Sequence, residues 1–511
     1  MTLRSTSNQF HVTMKVVREY HIDLIIIISI AFFLRIWDIG WNGFNGDESI
    51  YSGQAASLLG NVDFLKDFSV FRAHPLLMQS IVSIVFAIFG IHDVVARIVP
   101  VIFGTLTVFM TYLVGKQFFD RNVGLMSCLI LALLPFHIVF SRQVLLDVPL
   151  SFFITLFLYL VFKYKITRSN ISCYWTGVTC GLCFLSKEVG IITVPIFIVF
   201  TLITRIFKTN KLFVFISGFA FSTLPYFFLI LLRKDAGNAF LQYSAFQITR
   251  DQRILSAQYA STLVNEALGY TLSLLLIVSI FLMWWEYRKS KDKHTMKYKD
   301  QIILLVLTLG MLFLFFQLLP SKGDRFMITL IPPAVILGCS FLSLDTVRKW
   351  RPSKWIYVAI VPLVIVTTNV FLSNIFPIQE LQISDNLGTP WHREAALWIK
   401  NNTPQNAGIL TSETRVANII RFYSNHEVYT VEINRNPSYL QINNPAILIL
   451  NKNVTILVED LRPGPFRNFL NEQLRNYLEI FDAKLVHVAF KHNFDNGIDN
   501  KVPMIRVYEL S

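Results

Sequence analysis

Charge is what this 511-residue chain has least of: Asp, Glu, Lys and Arg together make up 15% of it, against roughly a quarter in an ordinary soluble domain. That scarcity argues against a cytosolic globular enzyme. Intrinsic disorder is excluded as well, because a chain that is 53% hydrophobic can bury enough surface to order itself. Acids are scarcer than bases, leaving a net charge of +13, but a nucleic-acid partner would require the basic residues to cluster on water-facing surface. Cysteine is sparse too. Cys128, Cys173, Cys180, Cys183 and Cys339 all fall in apolar runs, and none follows residue 376, so disulfides do not hold the C-terminal part together. Cys180 and Cys183 have the spacing of a redox or zinc pair, yet no second pair accompanies them and they read as helix packing. The first apolar run lacks a small-residue cleavage site and reads as a retained signal anchor. No internal repeat or low-complexity tract is evident.

What the chain does have is long apolar runs. Stretches of the length a spanning helix needs, about 20 residues, occur near 22–40, 94–115, 122–140, 148–164, 171–186, 189–207, 212–232, 266–286, 301–319, 326–344 and 355–375. The expected fold is therefore a polytopic α-helical membrane protein with about eleven transmembrane helices. A shorter run, 75–91, is assigned by the rule that cytoplasmic loops hold the excess Lys and Arg. With 75–91 lying along the outer surface as a juxtamembrane helix, the inner segments carry 21 Lys and Arg against five acids. Were it a true span, the basic stretch 288–293 would face outward. Residues 1–376 then form the transmembrane domain, with a first outer loop at 41–93. Residues 377–511 change character: helix-period stretches near 391–402, 413–424 and 465–476 alternate with strand-like runs at 408–412, 446–450, 455–458 and 484–490. This tail reads as a C-terminal α/β domain outside the cytoplasm.

On that topology one face of the membrane collects nearly all the unusual polar residues. They are Asp47 and Glu48, Arg72, His74, Arg142 with Asp147, Lys187 with Glu188, and the run Ser321 to Arg325, which includes Lys322. Asp47, Tyr51, Ala55 and Leu58 share one face of an expected helix. Singly, each charge has an ordinary explanation. Acids suit the first turn of a helix, Asp147 two residues before Pro149 suits a helix start, and long bases at a membrane edge reach for water. Their confinement to one side, in loops that should be poor in Lys and Arg, points instead to a functional surface.

Asp47-Glu48 with Tyr51, Ala55 and Leu58, then His74-Pro75-Leu76, Phe89-Gly90 with Arg97, Ser141-Arg142 with Asp147 to Leu150, and Gly181-Leu182 with Ser186-Lys187 resemble the polyprenyl-phosphate-sugar-dependent C-type glycosyltransferases. These include the dolichyl-phosphate-mannose protein mannosyltransferases and the bacterial aminoarabinose transferases. The likeness runs in order through roughly residues 20–210 and more loosely to 345. It departs from the family pattern at Leu76, where a second proline is common, and at Glu188, where glycine is common. Trp284-Trp285-Glu286 is the nearest match to the Trp-Trp-Asp motif of oligosaccharyltransferases, but it falls at the cytoplasmic end of a span and reads as an interfacial aromatic belt.

The resemblance implies a membrane glycosyltransferase of hexosyl or pentosyl type, similar to the mannosyltransferases. It would move a sugar from a polyprenyl-phosphate-linked donor to a protein, lipid or glycan acceptor on the extracytoplasmic face, with inversion. Asp47 is then the expected general base, with Glu48 beside it positioning Asp47 or its helix. Arg72, His74, Arg142, Asp147, Lys187, Lys322 and Arg325 are candidates for binding the donor's phosphate or sugar, with Asp147 either orienting Arg142 or binding the sugar or acceptor. The resemblance fixes no cofactor, but Asp47 with His74 could hold a divalent metal ion. A polytopic transporter or a non-catalytic sensor or assembly factor would also accommodate many spans and edge charges. Transporters, however, tend to place charges near the bilayer midplane and to show internal repeats.

Overall fold

In a computed structural model of the chain, the described residues are 22–61, 74–206, 208–232, 258–289, 298–319, 323–345, 389–431, 454–462, 465–495 and 498–510, with a few isolated positions between them. Among these, five helices are long and apolar enough to cross a membrane: Asp93–Phe118, Asp147–Thr167, Thr209–Leu232, Gly269–Glu286 and Lys299–Leu318. Shorter apolar helices cover Leu77–Phe89, Arg121–Leu133, Glu188–Ile203 and Ile331–Ser343. A further helix spans 22–36, and the expected run 355–375 lies almost wholly outside the described residues. The 75–91 run becomes a helix of 13 residues, Leu77–Phe89, about 20 Å long at 1.5 Å per residue and so short of a bilayer core of about 30 Å.

Local chemistry sets the breaks and contacts in this bundle. The expected run 122–140 is not one helix. Pro135 stops Arg121–Leu133, and a short helix, Pro135–Phe140, follows. The carbonyls left open at that break are taken by Arg35, which is fully buried and donates to Leu131 O and Ala132 O at 3.2 Å each and to His137 Nδ1 at 2.8 Å. Helices Asn170–Ser186 and Thr209–Leu232 approach through glycine. A Cβ on Gly177 would lie 2.0 Å from the Phe215 carbonyl oxygen, and one on Gly218 would lie 2.1 Å from that of Tyr174. Small residues at such crossings let backbones touch where lipid offers no hydrophobic drive.

The C-terminal part carries a five-stranded sheet of order β2-β1-β3-β5-β4, with β1 Gly408–Thr411, β2 Val428–Thr430, β3 Val454–Asp460, β4 Lys484–Asp495 and β5 Ile498–Glu509. β1 is parallel to β2 and β3; β5 runs antiparallel to β3 and β4. Side chains alternate between the faces. Ile409, Val428, Ile456 and Val458 join the large core that continues into the membrane domain, through Trp391, Ala395, Val416 and Phe422 of helices Pro390–Asn402 and Thr414–Ser424. Leu410, Tyr429 and Leu457 face the other way, onto Leu474 of helix Pro465–Ile480. β2 and β5 escaped the sequence reading, the first because three residues carry no alternation. The expected strand at 446–450 lies outside the described residues.

Candidate active site

Asp47 and Glu48 open the helix Gly46–Leu58. Asn45 caps it, its side chain accepting from the amides of Asp47 and Glu48 while the Glu48 carboxylate accepts from the Asn45 amide. This reciprocal arrangement fixes the first turn. The expected helix forms, but Asp47, Tyr51, Ala55 and Leu58 do not share one environment. Asp47 and Leu58 are partly open, whereas Tyr51 and Ala55 are buried together with the polar Ser49, Ser52, Gln54 and Ser57 from the other faces. It is a polar helix enclosed by protein, with Gln54 taking a hydrogen bond from Gln79 at 3.0 Å.

The two acids have different surroundings. Glu48 is fully buried and bound in a fork by Arg97, with Nε to Oε1 at 2.8 Å and Nη2 to Oε2 at 2.9 Å; it also accepts from the Val144 amide at 3.0 Å. Arg97 goes on to donate to the carbonyls of Ile39, Asn42 and Gly43. The Asp47 side chain is 44% exposed and ion-paired with Arg325. Arg325 reaches back with Nε to Asp147 Oδ2 at 3.4 Å, and the other oxygen of Asp147 takes a 2.8 Å hydrogen bond from Lys187 Nζ. Lys187 also stands over the Phe326 ring, 3.8 Å from its centroid. Asp47, Arg325, Asp147 and Lys187 thus form one alternating chain of charge.

Burial disfavours the Arg325 cation, but Asp47 and Asp147 outweigh it and hold its pKa above the ordinary value. For Lys187 burial wins: despite Asp147, its pKa is lowered, with Arg325 adding repulsion. The turn bearing Arg325 is held from behind, where the Gly323 amide donates to the Tyr259 hydroxyl at 2.9 Å and Thr262 donates to Asp324 at 2.9 Å. Beside this chain, His74 Nδ1 pairs with Glu188 Oε2 at 2.7 Å and meets the edge of the Tyr51 ring.

Of the expected site residues, the structure brings together Asp47, Asp147, Lys187 and Arg325. Arg142 turns away, donating to the carbonyls of Leu34 and Asp38, so the partners of Asp147 are Lys187 and Arg325 rather than Arg142. Arg72 and Lys322 lie outside the described residues. Among the described residues no three His, Cys, Asp or Glu side chains gather as a metal site. Arg97 was known from sequence only as part of the resemblance. A lone Arg in an apolar run is costly unless partnered, and that is the signal that could have marked it.

Comparisons place this geometry in context. The family model of dolichyl-phosphate-mannose-protein mannosyltransferase matches residues 73–227. A relative in Aquifex aeolicus (strain VF5), itself an uncharacterized protein, is 23% identical over 371 residues, 70% of this chain and 71% of its own length. Among solved structures, ArnT from Cupriavidus metallidurans, bound to undecaprenyl phosphate, superposes with a TM-score of 0.63 at 14% identity, over 95% of this chain and 97% of that one. The archaeal oligosaccharyltransferase AglB from Archaeoglobus fulgidus, in complex with an inhibitory peptide and a dolichol-phosphate, gives 0.56 at 13% identity over 94% and 74%. The resemblance first drawn from short motifs thus extends to the whole fold: the chain has the architecture of the polyprenyl-phosphate-sugar-dependent C-type glycosyltransferases and, over residues 73–227, matches the mannosyltransferase family among them.

Proposed function

We propose that the protein transfers a hexosyl or pentosyl group from a polyprenyl-phosphate-linked donor to a hydroxyl of a protein, lipid or glycan acceptor on the extracytoplasmic face of the membrane. The chain crosses about eleven times, and residues 377–511 stand on the same side as Asp47. The observation that carries this reading is the Asp47–Arg325–Asp147–Lys187 chain, which sets one accessible carboxylate against two cations. An acceptor hydroxyl is a poor nucleophile until a base removes its proton, and a placed carboxylate supplies about 10² to 10⁴ in rate. The acceptor oxygen bonds to the anomeric carbon as the carbon–oxygen bond to phosphate breaks, inverting the centre. The proton passes to Asp47. The polyprenyl phosphate departs with one more negative charge than it had in the donor, and so needs no acid. It needs fixed positive charge, often the largest catalytic contribution, which Lys187 and Arg325 supply.

Arg325 is paired with Asp47. A phosphate that draws Arg325 toward itself leaves Asp47 free to accept a proton, so donor binding readies the base. The test offers the purified protein undecaprenyl-phosphate-linked mannose, glucose and aminoarabinose, following consumption by mass spectrometry, and repeats the assay with Asp47→Asn. The expected result is consumption of one donor by the wild type and loss of turnover in the variant with undecaprenyl phosphate still bound. Near-normal turnover of Asp47→Asn would sink the assignment of the base, and inertness toward every donor would sink the reading as a transferase of these sugars.

A further inference from the structure

The segment 39–48 that delivers Asp47 is gripped from two sides. From the membrane domain, Arg97 donates to three of its carbonyls and to both oxygens of Glu48. From the C-terminal domain, Arg393 Nη1 donates to the Gly40 carbonyl at 2.6 Å and pairs with Asp93 Oδ2 at 3.1 Å. The Tyr423 hydroxyl accepts from the Phe44 amide at 2.8 Å and donates to the same Asp93 oxygen at 2.8 Å. The buried Phe44 ring lies 4.9 Å from that of Phe422 and 5.9 Å from that of Tyr423. The approach is close enough to require glycine: a Cβ on Gly43 would sit 2.6 Å from the Thr389 carbonyl oxygen.

We propose that the C-terminal domain is a clamp that sets the position of Asp47, with Tyr423 and Arg393 as positioning residues acting through Phe44, Gly40 and Asp93. The proposal rests on the reading of Asp47 as the base. A tyrosine suits the post because one oxygen takes the Phe44 amide and gives its proton to Asp93. Burial first, and then Asp93, pushes the phenol well above its usual value, so it keeps that proton. The consequence is chemical: misplacing a reacting group by about 1 Å costs on the order of 10²-fold in rate, while the phosphate-binding Lys187 and Arg325, on other elements, are left in place.

The experiment uses the full-length protein in nanodiscs, with Tyr423→Phe and Arg393→Lys as variants. It measures amide exchange across residues 39–48, binding of undecaprenyl phosphate alone, and kcat and KM for whichever of the three undecaprenyl-phosphate sugars the wild type consumes. The clamp predicts faster exchange at Phe44 in Tyr423→Phe, unchanged affinity for undecaprenyl phosphate, and a kcat lower by about 10- to 100-fold with donor KM within about twofold. Unchanged exchange at Phe44, or faster exchange with normal kcat, overturns the clamp. So does a rise in donor KM that matches the fall in kcat/KM. Asp47→Asn, run alongside, separates the two ideas. Normal turnover there ends the assignment of the base, whatever exchange at Phe44 shows; lost turnover there with an indifferent Tyr423→Phe ends the clamp alone.

Discussion

Asp47 and Glu48 are consecutive residues with opposite fates: Glu48 has both carboxylate oxygens engaged and no contact with water, whereas nearly half of the Asp47 side chain is open and its partner, Arg325, comes from a turn 278 residues away. Helix geometry makes the difference. Side chains at successive positions point about 100° apart, so the first turn that sends one acid toward Arg97 sends the next toward the site. On the proposed reading, Glu48 serves the structure and Asp47 the chemistry.

The two acids should therefore fail in different ways. Glu48→Gln leaves Arg97 charged and buried without its counter-ion, a change worth about 3–5 kcal/mol. The expected outcome is a markedly lower melting temperature in detergent along with lost activity. Asp47→Asn should melt like the wild type while turnover falls. Equal melting temperatures for all three proteins would refute the structural role assigned to Glu48.

Lys187→Met removes one of the two cations expected at the donor phosphate. A hydrogen bond to a charged group is worth about 1.5–3 kcal/mol, so affinity for undecaprenyl phosphate should fall by roughly 10- to 150-fold, as titration calorimetry or competition binding would show. Unaltered affinity would remove Lys187 from the phosphate site.

The C-terminal domain carries its own acid-sensitive pair. Asp460 is buried, which opposes its charge, but His392 at 3.3 Å and Arg462 outweigh that and hold the carboxyl well below the usual carboxylate range. A depressed value in the folded state means the contribution is complete above the ordinary carboxylate pKa of about 3.9 and disappears as pH falls below it. Melting temperature should drop steeply below about pH 4. Asp460→Asn should begin lower at neutral pH and show a flatter acid limb. An identical pH slope in the variant would show that Asp460 is not the group responsible.

Ser290→Cys tests the topology. The described cysteines are all buried, so background labelling should be low. Position 290 should react with a membrane-impermeant maleimide only after cells are permeabilised; labelling of intact cells would invert the assignment of inside and outside.

The apolar runs and the first turn of the Asp47 helix were legible because each is a local pattern of composition and spacing. Which cation meets which acid was not. Arg325 and Lys187 converge on Asp147 from segments 178 and 40 residues away, and nothing near Asp147 in sequence favours them over Arg142, five residues upstream. The same limit explains the Gly46–Leu58 helix. Its polar Ser49, Ser52, Gln54 and Ser57 are buried, and only tertiary contact, such as Gln79 on Gln54 and the Phe68 carbonyl on Ser57, reveals that. Pro135 could be read as a break in a span, yet the cation capping the broken end lies about a hundred residues earlier.

That cap bears on how the protein is made. Arg35 leaves the ribosome well before the carbonyls it needs at Leu131 and Ala132, which follow 96 and 97 residues later. At about 5–20 residues per second, the guanidinium waits on the order of 5–20 s before its partners exist. The Arg35 helix is therefore made early and completed late, and it should stay close to the membrane surface or the insertion machinery until the broken helix arrives to receive it.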